Sequence, residues 1–254
     1  FMKAISHNNE NFNLEEPFDG LFTQGMVCHE TYKDQDNNWV SPEEIENIDG
    51  IKYLKNDKSK VIKVGPSESM SKSKKNTIDP ESMIEIYGAD AVRLFILSDS
   101  PPEKDIQWSE NGMTSSFKFV QKFWILFDQI NKLSKSNKDE SNSEIDIFTN
   151  QAIEKINFAL EKFRYNVIIA VFHEIYSFYK KLLEKQKNFK NLNENFIKIL
   201  IVMSPVIPHL AFECLNKFND IKEFKWPDVI EEHLKISEKI IVIQINGKKR
   251  NTIT

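Results

Sequence analysis

Two regimes of hydrophobic patterning divide the chain near Pro101-Pro102. Ahead of that pair, apolar residues come in short runs among turn residues. Gly20-Leu21-Phe22 leads into an expected buried strand ending near Val27, and Lys60–Val64 reads as a β-type segment. Residues 29–60 are polar, with Trp39-Val40-Ser41-Pro42-Glu43-Glu44 marking a turn and a short helix start. Asp79 as N-cap, Pro80 at the first helical position and Glu81 in the first turn predict a helix from Pro80 to Tyr87, stopped by Gly88. A second helix is expected from about Ala89 to Leu97, with Asp90 and Arg93, spaced i and i+3, read as a local ion pair on it.

Beyond the prolines the period is helical. Phe117, Val120, Trp124, Phe127 and Ile130 recur along one long amphipathic segment and are read as bundle core, each buried Phe stabilising by roughly 1.5–3 kcal/mol. Ser134–Ser143 is a charged, Ser/Asn-rich linker. Helices are predicted over roughly Ile145–Lys162 and Tyr165–Lys187. Asn193 is expected to cap another that reaches Met203, before Pro205 and Pro208, and a short one covers about His209–Phe218. Lys239–Ile245 then reads as a strand, with Asn246-Gly247 as a hairpin turn. No internal repeat is evident. Periodicity alone therefore gives α/β followed by all-α.

The 254 residues suffice for one large or two moderate cores, and a net charge of −4 gives no global field favouring nucleic acid. RNA contact would need local patches: Lys72/Lys74/Lys75, then Lys180/Lys181/Lys185/Lys187/Lys190, then Lys248/Lys249/Arg250. The middle group also reads as a solvated helix face. Cys28 and Cys214 are far apart and have no C-x-x-C partner, so neither a disulfide framework nor a structural zinc is expected, and a reducing cytosol is the default. No apolar run reaches membrane-spanning length, and no signal peptide is expected. His173-Glu174 lacks the i, i+4 histidine that a zinc protease needs; His209 follows Pro208, where capping or packing is expected. No metal site is assigned.

The most informative stretch is Gly65-Pro-Ser-Glu-Ser-Met-Ser-Lys-Ser-Lys-Lys-Asn-Thr-Ile-Asp-Pro80. It reads as a flexible loop carrying cations at Lys72, Lys74 and Lys75 beside a helix N-terminus. Such a loop suits closure over a polyphosphate. By composition alone a solvated surface loop is the stronger reading. The order of residues adds more. Met70-Ser71-Lys72-Ser73 resembles the Lys-Met-Ser-Lys-Ser signature of class I aminoacyl-tRNA synthetases. Its flanks are Leu21-Phe22-Thr23-Gln24-Gly25-Met26-Val27 upstream and Asp79-Pro80, Tyr87-Gly88-Ala89-Asp90-Ala91-Val92-Arg93-Leu94-Phe95, Pro101-Pro102-Glu103-Lys104-Asp105 and Trp108-Ser109 downstream. These are similar to the C-terminal part of bacterial leucyl-tRNA synthetases over nearly the whole chain. Ser69 departs from the pattern, standing where the signature has its first lysine.

The resemblance implies an α/β then all-α organisation. Residues 1–100 would be the C-terminal half of a Rossmann-like catalytic domain, with a small insertion at 29–60 and the signature loop at 65–76. Residues 109–228 would be an anticodon-binding-type helical bundle, and 236–254 the start of a small α+β tRNA-contacting domain. It implies a ligase that activates leucine with ATP (Mg2+ accompanying the nucleotide) and transfers it to tRNA(Leu), acting in the cytoplasm as a monomer when full length. Lys72 would be catalytic. Met70, Ser71, Lys72, Ser73, Gly25 and Met26 would bind ATP, with Gly25 letting adenine approach the backbone. Lys74, Lys75, Lys248, Lys249 and Arg250 would contact tRNA.

No histidine begins the family's His-x-Gly-His tetrapeptide, and there is no room for the editing insertion. Both ends read as cut, so a fragment inactive alone is expected, its N-terminal half lying in the same or a separate chain. An isoleucyl, valyl or methionyl relative, a subunit of a split synthetase, and a non-catalytic tRNA-binding relic remain open. Residues 1–100 are expected to be loosely ordered in isolation.

Overall fold

The computed structural model describes residues 2–9, 11, 16, 18–136, 140–218, 225–234, 241–245 and 248–253. In chain order the elements are α1 Met2–His7, β1 Val27–Lys33, β2 Ile45–Ile48, β3 Ile51–Leu54, β4 Asp57–Val61, β5 Lys63–Ser69, α2 Pro80–Tyr87, α3 Ala89–Ser98, β6 Ile106–Gln107, α4 Glu110–Leu133, α5 Ser143–Glu161, α6 Tyr165–Leu183, α7 Leu192–Met203, α8 Pro208–Lys217, β7 Ile241–Ile245 and β8 Lys248–Ile253. A mixed sheet ordered β5-β1-β6 and a small sheet β2-β3-β4 precede the helical bundle, and β7-β8 form an antiparallel pair after it. The Asn246-Gly247 turn expected between those last strands lies outside the described residues.

The strand expected to end near Val27 instead begins there. Residues 20–26 have no regular structure, and Leu21 is 90% exposed. The Gly25 amide donates to the Pro102 carbonyl (2.8 Å) and the Met26 amide to Asp105 Oδ1 (2.8 Å), so a loop takes the donors a flanking strand would have used. From Val27 onward β1 pairs antiparallel with β5 and parallel with β6. Pairing with β1 also draws Gly65–Ser69 out of the expected loop and into β5. The register shifts between Glu30 and Tyr32, and there Thr31 Oγ1 donates to the Pro66 carbonyl (3.0 Å). Proline is tolerated at such an irregularity because it has no ladder donor to lose. At Gly65 an added Cβ would sit 2.5 Å from Thr31 Oγ1, so the bulge needs glycine.

The bundle core follows helical periodicity; of the five positions expected on α4, Phe127 and Ile130 are core and Val120 and Trp124 pack against it. On α4 the buried residues are Met113, Ser116, Phe119, Phe123, Leu126, Phe127 and Ile130. Phe117, Val120 and Trp124 are only half-buried: Val120 and Trp124 line a groove with residues of α3 and α8, and Phe117 meets Tyr87 of α2 edge-on. Inside, the Phe123 and Phe196 rings stack at 6.0 Å, and Tyr179 meets Phe196 edge-on at 4.9 Å. α6 stops at Leu183, short of Lys187, and Gln186 takes a left-handed φ of 50° just beyond it. α7 starts at Leu192, which places Asn193 inside the helix and Asn191 at its cap. The Asn191 side chain is spent elsewhere, accepting from the Asn142 amide (3.1 Å) and donating to the Asn142 carbonyl (2.9 Å) and to Asp146 (2.7 Å).

Asp90 and Arg93 do not pair with each other. Asp90 is buried; one carboxylate oxygen accepts from the His209 amide (3.2 Å) and lies 2.9 Å from His209 Nδ1, and the other accepts from the Leu210 amide (2.6 Å). These are first-turn donors of α8, whose cap residue, Ile207, has no side-chain acceptor. A carboxylate 119 positions away in sequence therefore caps the helix. Arg93 serves the other side of the same turn, donating from Nε to the Val206 carbonyl (2.9 Å) and from Nη2 to the Pro205 carbonyl (2.7 Å). Both side chains leave α3 to grip the α7–α8 connection.

The small sheet is tied to β1 by Lys52 on β3. Its ammonium bonds to Glu30 and to Tyr32 Oη (3.1 Å), and lies 4.5 Å over the Tyr32 ring. Tyr32 Oη in turn donates to Glu30 (2.9 Å), and Tyr32, Val40 and Ile62 form a second, smaller core.

Replacing Asp90 with alanine should lower stability by about 1–3 kcal/mol, because buried amide donors lose their acceptor. Thermal unfolding followed by circular dichroism would measure it, and an unchanged transition would contradict the capping role. Acid should release the small sheet first. The hydrogen bond from Lys52 holds the Glu30 carboxyl below its usual range. Such a group contributes stability above the ordinary glutamate pKa and loses it as pH falls through the depressed folded value. Amide NMR resonances of 45–61 should therefore shift on acidification in the parent chain, and this titration should vanish in Glu30→Gln.

Candidate functional site

The last rung between β1 and β5 joins Cys28 to Ser69, and the Met70 amide then donates to the Val27 carbonyl (3.1 Å). That bond sets Met70 beside the Gly25–Val27 segment. Ser71 is extended and caps a 3-10 turn formed by Lys72–Lys74, its Oγ accepting from the Lys74 amide (3.3 Å) and lying 3.1 Å from Ser73 Oγ. Lys75 ends the turn with a left-handed φ of 52°. The next residue, Asn76, is fully buried. Its Oδ1 accepts from the Ser71 amide (2.8 Å), and Nδ2 donates to the His29 and Glu68 carbonyls (both 3.2 Å). The loop is therefore shorter than the sequence suggested. It begins at Met70 and is closed by an asparagine.

Its three lysines are not equivalent. Lys74 forms an ion pair with Glu68. Among the described residues no carboxylate pairs with Lys72 or Lys75, and both line an open cavity of ≈ 530 Å³ shared with Ser41, Glu43, Thr77, Ile78, Asp79 and Pro80. The N-terminus of α2 borders this cavity, but its donors are taken. Asp79 accepts from the amides of Glu81 (3.4 Å) and Ser82 (3.1 Å), and the hydroxyl of Ser82 holds its carboxyl below the usual range. An anion here would meet ammonium groups rather than open helix amides.

Gly25 has a packing reason for being glycine. An added Cβ would lie 2.1 Å from the Lys104 carbonyl oxygen, so the 104–105 backbone already requires glycine here. Met26 beside it is 54% exposed and Met70 half-buried, and the Met70–Val27 backbone bond brings their two segments together. Ser69, in the place of the signature's first lysine, is exposed at the end of β5. The structure thus gathers Gly25, Met26, Met70, Ser71, Lys72, Ser73 and Lys75 in one region. Lys248, Lys249 and Arg250 lie on β8, and their side chains are outside the described residues.

Asn76 and Glu68 escaped notice as individual residues because their partners are backbone carbonyls and a lysine that only folding brings near. His29 was likewise unremarked. Burial lowers its pKa, and its Nδ1 finds no hydrogen-bond partner among the described residues. His209 faces Asp90, consistent with capping. Among the described residues no three His, Cys, Asp or Glu side chains gather as a metal would require, and no helix is long and apolar enough to cross a membrane.

Comparison with known proteins accounts for both halves of the chain. Residues 60–109 match the family described as tRNA synthetases class I (I, L, M and V), and residues 142–254 match the anticodon-binding domain of tRNA ligase. The leucine–tRNA ligase of Rickettsia massiliae (strain Mtu5) is 37% identical over 99% of this chain and 30% of its own length. That of Bartonella henselae (strain ATCC 49882 / DSM 28221 / CCUG 30454 / Houston 1) is 41% identical over 95% of this chain and 29% of its own length. The chain therefore spans about 30% of the length of these curated relatives. Among solved structures, the fold matches a LeuRS–tRNA–LeuAMS ternary complex of Agrobacterium radiobacter K84 (agnB2) with a TM-score of 0.65 and 21% identity, over 99% of this chain and 29% of that one. Signature loop, bundle and matched relatives agree: over nearly its whole length the chain is similar to a portion of leucine–tRNA ligases, among the class I aminoacyl-tRNA synthetases.

Proposed function

We propose that this chain supplies the signature loop and tRNA-binding helices of a cytoplasmic ligase that charges tRNA(Leu) with leucine. In the first step a leucine carboxylate oxygen attacks the α-phosphorus of ATP, and the bond to the bridging oxygen of pyrophosphate breaks. In the second, the terminal ribose hydroxyl of tRNA attacks the adenylate carbonyl and AMP leaves. Neither step needs a protein nucleophile, so positioning and charge must supply the rate.

The single observation carrying this reading is the state of Lys72: exposed at the tip of the turn, with no ion-pair partner among the described residues. An ammonium already neutralised by a carboxylate, as Lys74 is, would meet growing negative charge poorly. On this reading Lys72 neutralises the β- and γ-phosphates as pyrophosphate departs, ATP arriving as its magnesium complex. Ser71 and Ser73 shape the turn and donate to the phosphates, while Met70 and Met26 pack against the nucleoside. Residues 1–100 then belong to the catalytic domain, 109–228 to the bundle that receives tRNA, and 236–254 to a further tRNA-contacting unit. Lys74, Lys75, Lys248, Lys249 and Arg250 are the proposed phosphate-backbone contacts, so binding should weaken steeply with salt.

In a complete ligase carrying this segment, Lys72→Ala should slow leucyl-adenylate formation by about 10²–10³-fold, the scale for one lost preorganised charge. Leucine binding should be nearly unchanged. Equal pre-steady-state rates in mutant and parent would sink the assignment of the loop. Ser69→Lys should speed the same step by about tenfold or less, since the exposed strand end accepts a lysine without displacing anything and the second cation joins one already present. A slower Ser69→Lys enzyme would show that the loop is adapted to serine.

A further inference from the structure

The loop has little to hold it in place. Above its base, among the described residues, the hydroxyls of Ser71 and Ser73 and the Lys74 amide bond to one another, and Lys74 reaches back to Glu68. The sheet ladder ends at Ser69, one residue short of Met70 and three short of Lys72. Beyond it the carboxamide of Asn76 joins two strands to the turn: it bonds to the Ser71 amide where the turn begins, the His29 carbonyl on β1, and the Glu68 carbonyl on β5. Asn76 is 0% exposed, so it has no surface with which to touch a nucleotide.

Resting on the reading of Lys72 given above, we propose that Asn76 is a positioning residue for Lys72, fixing the direction in which the turn presents its ammonium to the leaving pyrophosphate. The chemistry of the site requires a carboxamide. Its oxygen accepts from an amide at 2.8 Å while its nitrogen donates to two carbonyls at 3.2 Å. Aspartate keeps the size and the acceptor but turns an oxygen toward two carbonyl oxygens, and alanine removes all three bonds. Either change frees the turn to swing about the end of β5 while the Cys28–Ser69 rung and the Lys74–Glu68 pair remain. Misplacing a catalytic charge by about an ångström costs on the order of 10²-fold. A loss smaller than that of Lys72→Ala is expected, because the freed loop still visits the productive position.

The test is a double-mutant cycle in a complete ligase carrying this segment, using Lys72→Ala, Asn76→Asp, Asn76→Ala and the paired combinations. Pre-steady-state leucyl-adenylate formation, the KM for leucine and thermal unfolding are measured for each. Asn76→Asp should slow adenylate formation by about 10- to 100-fold with the leucine KM within about twofold of the parent. In the Lys72→Ala background the same change should cost less than about twofold, because the group through which Asn76 acts is gone. Independently of activity, trypsin should cleave native Asn76→Asp after Lys72 faster than the parent. Losses that multiply in the double mutant, or an Asn76→Asp rate equal to the parent's, would overturn the role of Asn76 alone. So would a raised leucine KM together with a lowered melting temperature, which marks general damage. A Lys72→Ala rate equal to the parent's would overturn the reading of the loop and this proposal with it.

Discussion

A buried carboxylate on α3 does the work of a helix cap for α8. Around it the two halves of the chain become one body. Proline at the start of α8 removes one of the orphan donors every helix leaves, but the amides of His209 and Leu210 still need an acceptor, and Ile207 cannot provide it. Asp90 does. Arg93, one turn along α3, collects the carbonyls of Pro205 and Val206 that the α7–α8 connection leaves unpaired. Donors and acceptors of one sharp turn are thus satisfied from a single helix. That helix follows α2 directly, and α2 begins at the end of the lysine-bearing loop. Whatever the bundle holds is linked by two short helices to the place where Lys72 is presented.

The same economy of connection governs the loop. Strand pairing extends to Ser69, a buried asparagine closes the turn, and one lysine of three is set against a glutamate. What remains unneutralised among the described residues, Lys72 and Lys75, faces a cavity whose helix donors are already used by Asp79. Positive charge with no internal partner is what a phosphate-leaving step needs, since a preorganised cation requires no reorganisation when charge develops. On the far side of β1, the Glu30–Tyr32–Lys52 cluster anchors the small sheet by charge-assisted bonds rather than by a large core, which makes it the part most open to pH.

Local chemistry was legible wherever a residue acts on its own neighbours. Asp79 and Pro80 start α2, Gly88 ends it, and the four-residue apolar recurrence beyond Pro101-Pro102 gives helices within a few residues of their observed limits. The order Met70-Ser71-Lys72-Ser73 with its flanks was enough to point to the family. On α4 the sequence found Phe127 and Ile130 in the core but not Phe119, Phe123 and Leu126, because Phe117, Val120 and Trp124 are just as apolar. Only the packing of neighbouring helices chooses between two adjacent stripes.

Sequence by itself determined the α/β-then-α order, most helix limits and the identity of the lysine-bearing turn, because capping, proline geometry and periodicity act over a few residues. Tertiary structure alone decided where that turn begins, since β1 extends the pairing of β5 through Gly65–Ser69. It also decided that Lys74 is neutralised while Lys72 is not, that Asn76 closes the loop, and that Asp90 and Arg93 look away from each other. Each of these depends on a hydrogen-bond acceptor or donor brought close by folding, from 47 positions away for Asn76 and more than a hundred for Asp90 and Arg93. A buried polar group takes the partner that folding brings to it, and spacing along the chain does not record which partner that will be.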